Sequence, residues 1–104
     1  MKKVLITGAA GFIGAALVNK LLTNKDAVVG IDNINDYYSQ ELKKARLSEI
    51  NNNQKRLNGS WQFYETSIEN KIAIKEIFDH HEFDVVVHLA AQAGVRYSLT
   101  NPES

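Results

Sequence analysis

Thr7-Gly8-Ala9-Ala10-Gly11-Phe12-Ile13-Gly14 sets three glycines three apart, between the apolar run Val4-Leu5-Ile6 and an apolar-rich run from Phe12 to Leu22. A strand, a tight glycine turn and a helix start together bring backbone N–H groups and the positive end of a helix to one point, the arrangement that holds a pyrophosphate. The turn also constrains the fold. Lys3 to Thr7 has no polar alternation, the pattern of a strand covered on both faces in a parallel sheet.

The rest of the chain repeats that unit. After the glycines, Ile13, Ala16, Leu17 and Leu21 fall at helical spacing, and Thr23-Asn24-Lys25-Asp26 is a polar break that ends the helix. Ala27 to Ile31 reads as a second buried strand with Asp32 at its carboxyl end, which completes a right-handed βαβ unit. Asn33 to Ser39 is a polar loop. Gln40 to about Arg56 is expected to be helical in its first half, with a blurred stripe of Leu42, Ala45, Leu47 and Ile50 that places it at the periphery. Asn51-Asn52-Asn53 reads as its end and Asn58-Gly59-Ser60 as a turn. Trp61 to Glu65 alternates bulky and polar residues, as a strand near the sheet edge does. Asn70 to His81 is expected to be a helix with Ile72, Ile74, Ile77 and Phe78 facing inward. Val85 to Leu89 reads as a fourth buried strand, Ala90 to Gly94 as a small-residue loop, and Asn101-Pro102-Glu103 as a helix beginning.

The fold class is therefore α/β: a partial doubly wound parallel sheet of about four strands with flanking helices. Residues 1–104 make the amino-terminal part of one domain, with the rest of that domain and a substrate domain expected outside them. A fourth strand rich in valine leaves a raw edge, so self-association, or covering of that edge by the tail, is expected.

Composition narrows the function. Twelve basic and twelve acidic residues balance, which gives no field for nucleic acid or an anionic membrane. Cysteine is absent, so disulfides, cysteine–zinc sites and cysteine nucleophiles are excluded. The apolar run after Met1-Lys2-Lys3 is broken at once by Thr7-Gly8, unlike a signal peptide, and a cytoplasmic protein is expected. His80-His81 lacks further ligands at metal spacing and reads as an exposed helix end. His88 lies in a buried strand and reads as a satisfied core histidine. Lys43, Lys44 and Arg46 read as a solvated helix face, and Trp61 and Phe63 as core rather than a base-stacking platform.

The glycine turn gains meaning from Asp32. A carboxylate at the end of the second strand accepts hydrogen bonds from the hydroxyls of an adenosine ribose. It also repels a 2′-phosphate about 4 Å away, by about 1 kcal/mol per charge pair in water and about 4 at an effective dielectric of 20. Asn33, Ile34 and Asn35 are not basic. NAD is favoured over NADP.

The turn has the spacing G-x-x-G-x-x-G preceded by Thr. With Asp32-Asn33 and the block His88-Leu89-Ala90-Ala91-Gln92-Ala93-Gly94-Val95-Arg96-Tyr97-Ser98, it resembles the extended short-chain dehydrogenase/reductase family, whose fold is of Rossmann type. Asp32 to Leu47 together with that block resembles the UDP-glucuronate 4-epimerases among the nucleotide-sugar epimerases. The resemblance implies that Gly8, Gly11, Phe12, Ile13 and Gly14 wrap the pyrophosphate of NAD. It implies that Asp32 and Asn33 hold the adenosine ribose, that Asn35 and Asp36 line the same loop, and that Leu89, Ala90, Ala91 and Gln92 pass beneath the cofactor. Arg96, with Tyr97 and Ser98, would face the nicotinamide and a UDP-sugar, where an Arg suits an acidic sugar or a phosphate. One departure concerns adenine: relatives carry Asp-Ile or Asp-Leu after the third strand, and this chain has Ser67-Ile68. The family's Tyr-x-x-x-Lys pair is not present, since none of Tyr37, Tyr38, Tyr64 and Tyr97 has Lys four positions on. The resemblance thus implies the NAD-binding part of a UDP-sugar 4-epimerase. A nucleotide-binding module without catalysis, a truncated remnant, or the cofactor part of a related dehydratase or reductase remain the alternatives.

Overall fold

The computed structural model describes residues 1–34 and 40–90, and the backbone of residues 98–99. β1 (Lys3–Thr7), α1 (Phe12–Thr23), β2 (Ala27–Asp32), α2 (Gln40–Leu57), β3 (Ser60–Glu65), α3 (Lys71–His80), β4 (Val85–His88) and β5 (Ser98–Leu99) follow in chain order. The sheet order is β3-β2-β1-β4-β5. The first three pairings are parallel, with Leu5 between Val29 and Val86 at the centre. β5 runs antiparallel to β4 and pairs Leu99 with Val87 and Ser98 with His88. The expected four strands are thus joined by a short fifth, and half of the β4 edge is covered by the chain itself.

Alternation along β1 builds two cores. Val4 and Ile6 face α1 and α2, packing with Val18, Leu22 and Ile50; Leu5 faces the other way, with Val29, Ile31 and Ile77 of α3. β1 and β2 are buried almost throughout, as their unbroken apolar runs require. The amino ends are pinned by aspartates: Lys2 N–H donates to Asp26 Oδ1 at 3.1 Å and Lys3 N–H to Asp84 Oδ2 at 2.8 Å.

Several expected faces differ from the observed ones. α1 buries Gly14, Ala15, Val18 and Leu22, while Ile13 is exposed, because the small pair Gly14-Ala15 lets the helix sit close on the sheet. α2 runs through Asn51-Asn52-Asn53 to Leu57 without a break. Its asparagines find tertiary partners instead of capping: Asn53 Nδ2 donates to Asn19 Oδ1 of α1 at 2.8 Å, and Trp61 Nε1 donates to Asn51 Oδ1 at 3.1 Å. The helix is peripheral, as expected, with Ile50 as its one fully buried apolar residue, packed into the core against α1. α3 starts after Asn70, whose side chain accepts from Ala73 N–H, and buries Ile77 alone; Ile72 and Phe78 are exposed. β4 is half-buried rather than fully buried, and Val85 faces solvent.

His80 is exposed, but His81 is not a free helix end. Its ring stacks on Phe83 with centroids 5.4 Å apart, and its Nε2 lies 3.0 Å from Tyr64 Oη, which also accepts from Gln62 Nε2 at 2.9 Å. His81 Nδ1 is buried without a partner among the described residues. Burial first, then the charges of Lys3 and His80, hold His81 below the ordinary imidazole value. The unfolded chain therefore takes up a proton that the folded chain resists. Stability is fully present above the ordinary imidazole range and falls as pH drops through it toward the lower folded value. Urea unfolding at about pH 7.5 and about pH 5 should show a larger loss for the unaltered chain than for His81→Gln. Equal losses would contradict this account.

Candidate functional site

The site is built at the carboxyl ends of β1, β2 and β4. Leaving β1, Gly8 takes φ +77°, a conformation that glycine adopts without strain. The turn is closed by Gly11 N–H donating to Gly8 O at 3.0 Å. Gly14 is required by contact: a Cβ there would stand 2.0 Å from Gly8 O. Gly11 caps α1 with extended backbone and no side-chain hydrogen bond, and the first helical turn carries no acidic residue. First-turn amides have no intrahelical acceptor, so α1 offers N–H groups and a positive dipole end where an anion is expected. Phe12 is 74% exposed and Ile13 57%, which leaves this end open. These are the features that a diphosphate needs.

The turn is tied to β2. Gly8 and Ala9 N–H both donate to Ile31 O, at 2.8 and 3.1 Å, and Ala10 N–H donates to Asp32 Oδ2 at 3.0 Å. Asp32 is buried and serves more than one segment. Its Oδ1 accepts from Ile34 N–H at 2.9 Å and from Lys43 Nζ at 2.9 Å. Ile34 is held at φ +51°, which is unusual for a β-branched residue and is maintained by that short bond and by burial. Of the four lone-pair positions of the carboxylate, the donors among the described residues use three. A carboxylate at the end of β2, beside an open glycine turn, suits the ribose of an adenosine dinucleotide.

Lys43 corrects the reading of α2 as a solvated basic face. Its side chain is 10% exposed and pairs with an Asp32 side chain that is 3% exposed. Arg46, one turn on, donates to Ala10 O at 3.2 Å and sits 5.8 Å over the Phe12 ring. Two cations from α2 therefore converge on the glycine turn. The charge of Asp32 is compensated, which weakens the simple repulsion of a 2′-phosphate. Sequence spacing gave one signal for Lys43 and Arg46, their separation of three on a helix, but nothing in it placed that face against Asp32.

The remaining expected residues divide clearly. Leu89 and Ala90 follow β4 and press on the turn: a Cβ on Gly8 would lie 2.9 Å from Leu89 C and from Ala90 N. Asn33 is exposed beside Asp32. Thr66 N–H donates to Asp32 O at 3.1 Å, so the segment after β3 reaches the same end. There Ser67 Oγ accepts from Glu69 N–H at 3.0 Å, and Ile68 packs on the α3-side core. Ser98 lies on β5 opposite His88. Asn35, Asp36, Ala91, Gln92 and Arg96 lie outside the described residues.

Removing one partner of a buried ion pair strands the other. Lys43→Met should lower stability by about 3–5 kcal/mol in urea unfolding, and adding Asp32→Asn should recover part of that loss. A cost for Lys43→Met within about 0.5 kcal/mol, as for an ordinary surface change, would contradict the pairing.

Comparison with known proteins gives the family. The family model described as GDP-mannose 4,6 dehydratase matches residues 5–104. A UDP-glucuronate 4-epimerase from Thermodesulfobacterium geofontis is 45% identical over 94% of this chain and 29% of its own length. UDP-glucuronate 4-epimerase 3 of Arabidopsis thaliana is 45% identical over 97% of this chain and 22% of its own. A crystal structure of UDP-glucose 4-epimerase with UDP-glucose from Thermotoga maritima superposes with a TM-score of 0.64 at 36% identity, over 88% of this chain and 25% of that one. The chain thus spans less than a third of the length of these relatives. Its parallel sheet, glycine turn and residues 5–104 make it a member of the GDP-mannose 4,6 dehydratase family, of short-chain dehydrogenase/reductase type.

Proposed function

We propose that these residues are the NAD-binding amino-terminal portion of a UDP-sugar 4-epimerase that interconverts UDP-glucuronate and UDP-galacturonate. The observation that carries the reading is the joint held by Asp32. One buried carboxylate at the end of β2 binds the glycine turn through Ala10 N–H and, among the described residues, accepts three hydrogen bonds. The similarity to UDP-glucuronate 4-epimerases over nearly the whole chain supports the substrate class.

In this reading the amides of Phe12 to Gly14 at the α1 end, on the turn shaped by Gly8 and Gly11, hold the diphosphate, while Asp32 and Asn33 orient the ribose. The family resemblance would assign Asn35 and Asp36 to the same ribose site and Ser67 to the adenine. Leu89 and Ala90 would form the floor, and the family resemblance would add Ala91 and Gln92 to it and assign Arg96 and Ser98 to the sugar. When bound, the nicotinamide supplies reversible hydride transfer at sugar C4. Bound NAD would thus supply oxidation to a transient 4-keto sugar and reduction of that sugar from its other face. Its proton is handled by a Tyr of a Tyr-x-x-x-Lys pair that the 104 residues do not contain. For the same reason a second reading stands for the isolated chain: a module that holds the nucleotide without catalysis. We further propose a cytoplasmic, self-associating protein that serves polysaccharide biosynthesis.

Calorimetric titration should show NAD binding, with NADP bound more weakly. A longer polypeptide carrying this sequence at its amino terminus should convert UDP-glucuronate, and the 104 residues alone should not. No binding of NAD would overturn the cofactor assignment, and conversion by the 104 residues would overturn the division of labour.

A further inference from the structure

His88, which reads from the sequence as a satisfied core histidine, has a more specific environment. It lies opposite Thr7 in the β1–β4 register, on the same face of the sheet. Thr7 Oγ is 2.7 Å from His88 Nδ1. The same Oγ accepts from Leu89 N–H at 3.0 Å and from Ala90 N–H at 3.2 Å. A hydroxyl has two acceptor positions and one proton. With both acceptor positions filled by amides, the proton of Thr7 has one direction left, toward His88 Nδ1. His88 must then carry its own proton on Nε2.

We infer that Thr7 and His88 form a positioning clamp that fixes His88 as the Nε2–H tautomer and sets the Leu89–Ala90 backbone against the glycine turn. Three observations converge on it. Thr7 is buried, so an unmade bond there is costly. Leu89 and Ala90 approach Gly8 closely enough that a Cβ would be refused at 2.9 Å. Gly8 in turn is bonded to Ile31 O, so the clamp joins β4 to the β2 side of the site through the turn. His88 does not touch the cofactor in this account. It orients the hydroxyl that holds two amides, and those amides set the height of the floor. The consequence for NAD rests on the cofactor reading above; the tautomer and the amide bonds do not.

The test combines nitrogen-15 spectra of the His88 ring, hydrogen exchange at the Ala90 amide, and NAD titration, all on the 104-residue chain near pH 8, where imidazole is neutral. Leu89 N–H has Thr7 O as a second acceptor at 3.1 Å, so Ala90 is the cleaner probe. The unaltered chain should show Nε2–H, bare Nδ1 and a protected Ala90 amide. Thr7→Val should lose that protection and bind NAD about tenfold more weakly, while Thr7→Ser should keep both within about twofold. Should Thr7→Val fail to fold, the half-buried partner decides. His88→Asn offers an amide oxygen to the same hydroxyl proton and should retain Ala90 protection, and His88→Leu should not. An Nδ1–H tautomer in the unaltered chain, or equal Ala90 protection in His88→Asn and His88→Leu, overturns the clamp. Equal NAD affinity in Thr7→Val and Thr7→Ser overturns its role in positioning. If the unaltered chain shows the stated tautomer and exchange pattern but binds no NAD, the clamp is supported and the cofactor reading is overturned.

Discussion

A carboxylate taken out of water must be met by donors, and the burial of Asp32 organises the open end of this sheet around that need. Ala10 N–H comes from the glycine turn, Ile34 N–H from the loop after β2, and Lys43 Nζ from α2. Each donor belongs to a different segment, so one side chain fixes three pieces of backbone relative to one another. The same residue closes β2, and its main-chain oxygen receives Thr66 N–H after β3. The position of the site follows from satisfying one charge.

The glycine turn is held on both sides. Toward β2 the bonds run to Ile31 O and Asp32; toward β4, Thr7 Oγ receives Leu89 and Ala90. The glycines make these approaches possible: Gly14 admits Gly8 O at a distance no side chain tolerates, and Gly8 admits the Leu89–Ala90 backbone. A turn with larger residues could bind neither neighbour in this way. The exposed Phe12 and Ile13 and the uncapped α1 amides then stand at a firm rim rather than on a free loop.

What was legible in the sequence is what local pattern determines. β1 and β2 read as continuous apolar runs because both of their faces are covered, and the order strand, glycine turn, helix, strand admits few folds. Asp32 stood out as an acid at a strand end behind a glycine turn, the pattern on which its ribose assignment rests. The faces of α1 and α3 were harder. Apolar residues nearly encircle α1, and only close packing at Gly14-Ala15 selects the buried side. α2 misled more: Asn51 to Asn53 resemble a helix end, yet Asn51 and Asn53 bond to Trp61 and Asn19 across strand and helix contacts. Lys43 and His88 were underrated for a shared reason. Their roles depend on a partner far away in the chain, Asp32 and Thr7, and no local period reports such a pairing.

The central claim is that Asp32 and the turn it anchors seat an NAD molecule, and amide chemical-shift mapping tests it most directly. On titration with NAD, the account predicts that shifts concentrate at Gly11 to Gly14, Asp32-Asn33 and Leu89-Ala90, with α3 unmoved, and that Asp32→Ala abolishes the pattern. Shifts centred on α3 and the outer edge of β3, or a pattern indifferent to Asp32→Ala, would contradict it.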